Sequence, residues 1–270
     1  MGRNETYGVI GATGKTGRRI AERLDADGRA VRRLARSTEP AFDWEQPAGW
    51  AEALAGVDRL YIAFVPDLAA AGSAEVIARL VETARAAGVS RLVLLSGRGE
   101  DGARAAEDIV LASGIDSTIV RASWFIQNFT EGMLADSVAA GFVAIPAGER
   151  REPFIDVDDI ADVAVEALTG DGHAGRVFEV TGPELLGFAD VAALLTEAFG
   201  HPVAYLPLSL EEFHAAIGAE LGPEAAELLT ELCREVFDGR NESVARGVQE
   251  ALGREPRSLR SVLAATAAVV

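Results

Sequence analysis

The chain has 270 residues, enough for one large α/β domain with an appendage or for two domains of roughly 150 residues each. Hydrophobic residues make up 49% and charged residues 25%, a globular composition that excludes a disordered or collagen-like chain. Lys+Arg number 25 against Asp+Glu 42, a net charge of −17 that repels phosphate backbones and anionic lipid, so neither nucleic acid nor a membrane is an expected partner. The single cysteine, Cys233, excludes an internal disulfide and any zinc site built on several cysteines. His173, His201 and His214 lack metal-ligand spacing, so no metal is expected. No segment approaches the ~18 consecutive apolar residues of a membrane helix, and the N-terminus has no signal-peptide pattern. A cytoplasmic location is expected.

Tyr7 to Ile10 reads as a short apolar strand, followed at once by Gly11-Ala12-Thr13-Gly14-Lys15-Thr16-Gly17 and a helix carrying Ile20, Ala21 and Leu24. Ala30 to Ala35 is a second strand, Ala41 to Asp43 a brief third, and Leu60 to Val65 a fourth, stopped by Pro66. Ser73 opens a helix whose face is Val76, Ile77, Leu80, Val81 and Ala84, with Gly88 as its C-terminal cap. Leu92 to Leu95 is a fifth strand, Ala103 to Ala112 a helix, and Ser117 to Val120 a sixth strand. Near-continuous apolar strands alternating with helices predict a parallel sheet buried on both faces, an α/β doubly wound Rossmann-like fold.

Beyond Trp124 the rhythm loosens. Asp156 predicts an N-cap, Arg176 to Val180 a strand, and Phe188 to Phe199 a helix ending at Gly200. Ser209 with Glu212 forms a capping box, Pro223 starts a helix through Val236, and Ser258 starts the last. The expected division is a cofactor-binding Rossmann-like domain over 1–150. Residues 151–270 form a smaller, mainly helical region that completes the sheet and supplies a substrate lid. Within it, 202–239 offers Tyr205, Leu208, Phe213, Ile217, Leu221, Leu228 and Leu229 as apolar material, with Phe213 expected to touch substrate. The competing expectation is a plain structural cap.

Gly11, Gly14 and Gly17 lie between a predicted strand and helix, where they permit a tight turn, close approach of a pyrophosphate, and helix–strand packing. The helix N-terminus adds free N–H groups and partial positive charge. Around the end of the second strand, where an acidic residue would select NAD, the chain carries Arg32, Arg33, Arg36 and Ser37. Arginine pairs bidentately with a 2′-phosphate, so NADP(H) is the expected cofactor, with Lys15 also in reach. The alternative is a solvated arginine stripe. Lys15 is the only lysine, and none of Tyr7, Tyr61 and Tyr205 has a lysine four residues on, so a Tyr-x-x-x-Lys acid/base pair cannot exist. No G-x-S-x-G elbow is present.

The G-x-x-G-x-x-G loop, Val31–Ser37, Val89–Gly97, Ser117–Phe129 and Phe154–Ala161 resemble the NmrA-like group of atypical short-chain dehydrogenase/reductases. Phe42-Asp43-Trp44 and Gly253-Arg254-Glu255-Pro256-Arg257-Ser258 are most similar to its ergot-alkaloid reductase subgroup, of the agroclavine dehydrogenase or festuclavine synthase kind. The resemblance implies a Rossmann-like fold, NADP(H) and a pocket between the sheet and the C-terminal region. Carried over by position, Gly11, Thr13, Gly14, Lys15, Thr16 and Gly17 hold the pyrophosphate, and Arg36 and Ser37, beside Arg33, the 2′-phosphate. Ala63, Phe64 and Val65 flank adenosine and nicotinamide, Ser96 and Gly97 sit beside the nicotinamide, and Trp124, Asn128 and Phe129 line the substrate side together with Phe64.

Ser96 and Asn128 are the catalytic candidates, Ser96 as a weak proton donor and both as positioning groups. For Trp124 and Phe129 the competing role is core packing, for Ser96 a cap, and His214 reads as a helix-surface residue. The expected function is NADPH-dependent reduction of a small, largely apolar iminium, enone or quinone, in secondary metabolism or detoxification, by a monomer or homodimer. The alternatives are a non-catalytic NADP(H)-sensing regulator and an isomerase or cyclase on the same fold.

Overall fold

The computed structural model describes residues 5–268. Its strands are β1 (Thr6–Ile10), β2 (Ala30–Leu34), β3 (Arg59–Ile62), β4 (Arg91–Gly97), β5 (Asp116–Ala122), β6 (Phe142–Ile145), β7 (Arg151–Glu152), β8 (Val177–Val180), β9 (Leu186–Gly187) and β10 (Ala204–Pro207). Its helices are α1 (Lys15–Ala26), α2 (Trp50–Leu54), α3 (Ser73–Ala86), α4 (Asp101–Leu111), α5 (Met133–Ala139), α6 (Val157–Thr169), α7 (Phe188–Phe199), α8 (Leu210–Leu221), α9 (Pro223–Val236), α10 (Gly247–Leu252) and α11 (Leu259–Ala267).

Six strands form one sheet in the order β2-β1-β3-β4-β5-β8, with every pairing parallel. Successive side chains of a strand point to opposite faces, so apolar strands must feed two cores. In β4, Leu92 and Leu94 join Ile77, Leu80 and Val110 of α3 and α4, whereas Val93 joins Ile20, Leu24, Ile160 and Val163 of α1 and α6. This is the doubly wound Rossmann-like α/β fold. Among the described residues, no helix is long and apolar enough to cross a membrane, and no cluster of His, Cys, Asp and Glu could hold a metal ion.

The expected third strand does not form. Residues 41–43 are irregular, because Phe42 turns into the core, stacked on Trp50 and edge-on to Trp44. The Phe42 N–H donates to Ala35 O, and Trp50 Nε1 donates to Asp43 O. The segment thus folds back over the end of β2 instead of extending the sheet. The fourth strand stops at Ile62, which frees residues 63–65 as a loop, while β4 and β5 run on to Gly97 and Ala122.

A third core lies beyond β5. Ile126, Phe129, Phe154, Phe188, Leu195, Phe213, Ile217, Val236, Leu259 and Leu263 form it, supported by a parallel β6–β10 pair and an antiparallel β7–β9 pair. The same stretch of chain also supplies β8, the outer strand of the main sheet. Local caps fix its helices: Asp156 accepts the Asp158 N–H, Ser209 and Glu212 cap each other, and Ser258 accepts the Ser261 N–H. Arg254 and Arg257 pair with Asp159, which is fully buried on α6, and with Asp162, fastening the chain between α10 and α11 to α6.

Candidate active site

β1 runs directly into Gly11, which adopts φ +75°, a conformation that costs a side-chain-bearing residue free energy. The Gly11 N–H donates to Leu34 O of β2 at 3.0 Å, and the Gly14 N–H closes the turn on Gly11 O at 2.9 Å. A Cβ on Gly17 would lie 2.7 Å from the Gly11 carbonyl carbon and 3.1 Å from Ala12 Cα, so only glycine lets α1 begin this close to β1. Gly14 caps α1 with no side-chain hydrogen bond, and the first turn holds no acidic residue. Thr13 and Gly14 are exposed at the crest of the loop. Unpaired N–H groups and the positive end of the helix dipole suit a pyrophosphate. Arg36 and Ser37 stand exposed just after β2, and Arg36 has no partner among the described residues. Arg33 instead pairs with Asp25 of α1, and Arg32 donates to Ala53 O at 3.2 Å. The residues present therefore fit an NAD(P)H with its phosphates on this loop.

Beside the loop a cavity of about 620 Å³ opens beyond the carboxyl ends of β3, β4 and β5, the place where open α/β sheets bind ligands. Its floor is Phe64 to Leu68 after β3, Leu95 to Arg98 with Glu100 at and just beyond the end of β4, and Ala122 to Phe125 at and just beyond the end of β5. Phe213 of α8 and Leu229, Leu232, Cys233 and Val236 of α9 cover it. Lys15, Thr16 and Asn128 connect it to the phosphate loop.

The cavity thus gathers Lys15, Thr16, Phe64, Val65, Ser96, Gly97, Trp124, Asn128 and Phe213 of the residues expected from sequence. Gly11, Thr13, Gly14, Gly17 and Ala63 belong to or face the loop beside it, and Arg33, Arg36 and Ser37 lie beyond it around β2. Phe129 departs from expectation: 1% exposed, it packs edge-on to Phe154 and Phe188 and is absent from the cavity wall. Ser96 is also corrected as a proton donor, because its buried hydroxyl donates to Glu107 Oε1 at 2.6 Å. Asn128 Oδ1 accepts from Lys15 Nζ at 2.7 Å, so it positions the lysine. Burial lowers the Lys15 pKa, against the opposing pull of Glu131. Trp124 rests between Phe188 and Phe237, and its Nε1 has no hydrogen-bond partner. His214 is an exposed helix residue near Glu227.

Two groups of site residues escaped the sequence. Behind Ser96, Glu107 pairs with Arg121, which also pairs with Glu179. Arg98 reaches Glu179 and donates to Asn241 O and Ser243 Oγ. On the cavity side, Asp67 and Glu100 both line the wall, and each carboxyl lies close enough to perturb the other. Burial raises the pKa of both, and for Glu100 the charges of Asp67 and Glu235 add to it, to about 9. The one sequence signal for this pair is position, an acid a few residues past the end of each of two adjacent strands.

Residues 11–103 match the NAD(P)H-binding family model. An NAD(P)H azoreductase of Xenophilus azovorans is 33% identical over 249 residues, covering 83% of this chain and 85% of that protein. The chain belongs to the NmrA-like family of NAD(P)H-binding reductases. Agroclavine dehydrogenase of Claviceps fusiformis is 29% identical over 268 residues, 92% of this chain and 93% of that one, in line with the ergot-alkaloid reductase resemblance. In fold the family member superimposes on a Citrobacter sp. triphenylmethane reductase complexed with NADP(H), with a TM-score of 0.79 at 22% identity, covering 97% of this chain and 99% of that one. An NAD(P)H-dependent oxidoreductase is the class these matches establish.

Proposed function

We propose that this reductase uses NADPH to reduce a small, largely apolar, conjugated acceptor held in the cavity. The observation that carries the reading is the cavity itself, about 620 Å³ and walled by Phe64, Leu95, Trp124, Phe213, Leu229 and Val236 at the carboxyl end of the sheet. A purely sensory dinucleotide protein has no need of an apolar chamber beside its phosphate loop. The azoreductase relative points to the same kind of acceptor, a flat conjugated molecule. Gly11, Gly14, Gly17 and the start of α1 hold the pyrophosphate, and Arg36 with Ser37 takes the 2′-phosphate. Ser96 and Gly97 flank the nicotinamide, which supplies a hydride when bound. Trp124 and Phe64 orient the acceptor, and α8 and α9 exclude water above it, so 202–239 acts as the lid of a site whose cofactor half is 1–150.

A panel of quinones, enones, azo dyes and cyclic iminium ions tests the proposal, with NADPH oxidation followed by its absorbance and calorimetry of NADPH and NADH alongside. Turnover of at least one class with tighter NADPH than NADH binding is the expected result. Tight NADPH binding with no turnover across the panel would overturn the reductase reading in favour of a sensor.

A further inference from the structure

Reducing a neutral acceptor needs a proton as well as a hydride, and the tyrosine–lysine pair that could give one is absent. The cavity wall holds few groups able to do so. The Ser96 hydrogen is committed to Glu107, the Cys233 thiol is pushed up to about 12 by burial, and Lys15 is engaged with Asn128 in the phosphate loop. The remaining acid is the Asp67–Glu100 pair. The Glu100 carboxyl folds over Gly97 at the end of β4, in the space a Cβ there would take, and lines the cavity floor. Asp67 is fixed by the Ala69 N–H, which donates to its Oδ1 at 2.8 Å.

The groups around the pair are acidic. Glu107 of α4 and Glu235 of α9 face Glu100, and the Glu235 carboxylate accepts the Asp101 N–H. The nearby arginines are occupied elsewhere: Arg98 with Glu179, Asn241 and Ser243, and Arg240 with Asp101 and Asp238. Two neighbouring buried carboxyls on one cavity wall, with no cation between them, cannot both ionise cheaply, which favours keeping a proton.

Building on the reductase reading, we propose that the Asp67–Glu100 pair is the proton donor of the reaction, and that the acceptor is therefore a neutral quinone, enone or azo compound. As hydride forms the new C–H or N–H bond, the electron pair of the acceptor's double bond moves to its oxygen or second nitrogen. Glu100 gives that atom its proton, directly or through the conjugated system, and is left as carboxylate. Water from the cavity mouth restores the proton, so that acceptor, NADPH and H⁺ become reduced acceptor and NADP⁺. A general acid that holds its proton at neutral pH and releases it readily is worth about 10²–10⁴ in rate.

The test compares wild type, Glu100→Gln and Asp67→Asn on a neutral quinone and on a permanently charged N-alkyl cyclic iminium, which needs no proton. Melting temperature and NADPH affinity serve as folding controls. The expected result is a loss of at least about 100-fold on the quinone for Glu100→Gln. The same variant changes iminium reduction by at most about threefold, and the alkaline fall of the wild-type quinone profile disappears. Loss on the iminium alone would make the pair a cation-binding site, and equal loss on both would make it structural; either overturns the proposal. If wild type reduces neither, the reductase reading fails, and infrared spectra of the NADPH complex decide the pair alone. With Glu152→Gln as the background to remove that buried acid's own band, a carboxylic-acid C=O band at pH 7 that is lost when Glu100→Gln is added supports the stored proton, and its absence before Glu100→Gln is added overturns it.

Discussion

Gly17→Ala places one methyl group where α1 meets the turn after β1. The new Cβ would stand 2.7 Å from the Gly11 carbonyl carbon and 3.1 Å from Ala12 Cα, against at least about 3.4 Å for ordinary carbon contacts. The nearest atom of all is the Gly11 carbonyl oxygen, and every one of these neighbours is backbone, so no side chain can swing aside, and α1 must retreat by about 1 Å or the turn must open. Overpacking of this kind costs ~1–3 kcal/mol. If the strain is absorbed by the whole fold, the melting temperature falls by about 2–12 °C at ~2–4 °C per kcal/mol. If it is absorbed by the loop, the N–H groups that receive the pyrophosphate lose their aim, and NADPH dissociation rises by about 5- to 150-fold.

Calorimetric titration and thermal melting together account for the whole strain. Gly49→Ala is the control, since that glycine has φ −84° and open space around a Cβ. A Gly17→Ala protein that melts and binds NADPH like Gly49→Ala would refute the close-packing account of the loop.

Arg36→Ala should weaken NADPH about tenfold or more and leave NADH unchanged in titration, because one charge-assisted hydrogen bond is worth ~1.5–3 kcal/mol; equal effects on both cofactors would remove it from the 2′-phosphate. Phe213→Ala removes a side chain shared by the third core and the cavity roof, so both a lower melting temperature and a raised KM are expected, and an unchanged KM would reduce α8 to a structural cap. Glu152 is 1% exposed, and burial pushes its carboxyl up to about 8 against the pull of Arg98. Between about pH 4.5 and 8 the native state thus keeps a proton that the unfolded chain has lost, so stability falls as pH rises through that window, and Glu152→Gln should flatten the decline in melting temperature. Arg257→Ala leaves buried Asp159 with Arg254 and the backbone N–H of residue 257, for an expected cost of ~1.5–3 kcal/mol in denaturant unfolding with NADPH affinity unchanged.

What the sequence makes legible here is local. The caps at Asp156, Ser209 and Ser258 and the glycine at 88 sit within a few residues of the groups they satisfy, and each helix begins or ends where those residues predict. The glycine loop is legible for the same reason. The strands β6 and β10 are not, because each is four residues long and its only sheet partner is the other, far along the chain. Phe42 misleads in the opposite way: an apolar residue in a short run reads as a strand, yet its partners are the rings of Trp44 and Trp50, which draw it into the core. Phe129 shows the limit of positional reasoning, since a residue beside Asn128 in sequence points into a different packing layer.

The carboxylates around the cavity divide by how their charge is neutralised. Glu107 and Glu179 are met by Arg121 and Arg98, two cations for two anions, and the chain of contacts runs on from Arg98 to Asn241 in the loop after α9. Such a fully paired network is rigid, because each charge in it is held by a partner. It anchors β4 and β5 to the segment that follows the roof helices. Asp67 and Glu100 have no arginine or lysine partner among the described residues, and burial raises the pKa of both. Two acids of the same region thus take opposite roles because of what faces them. The paired set ties β4 and β5 together, and the unpaired set supplies the labile proton of the proposed reaction.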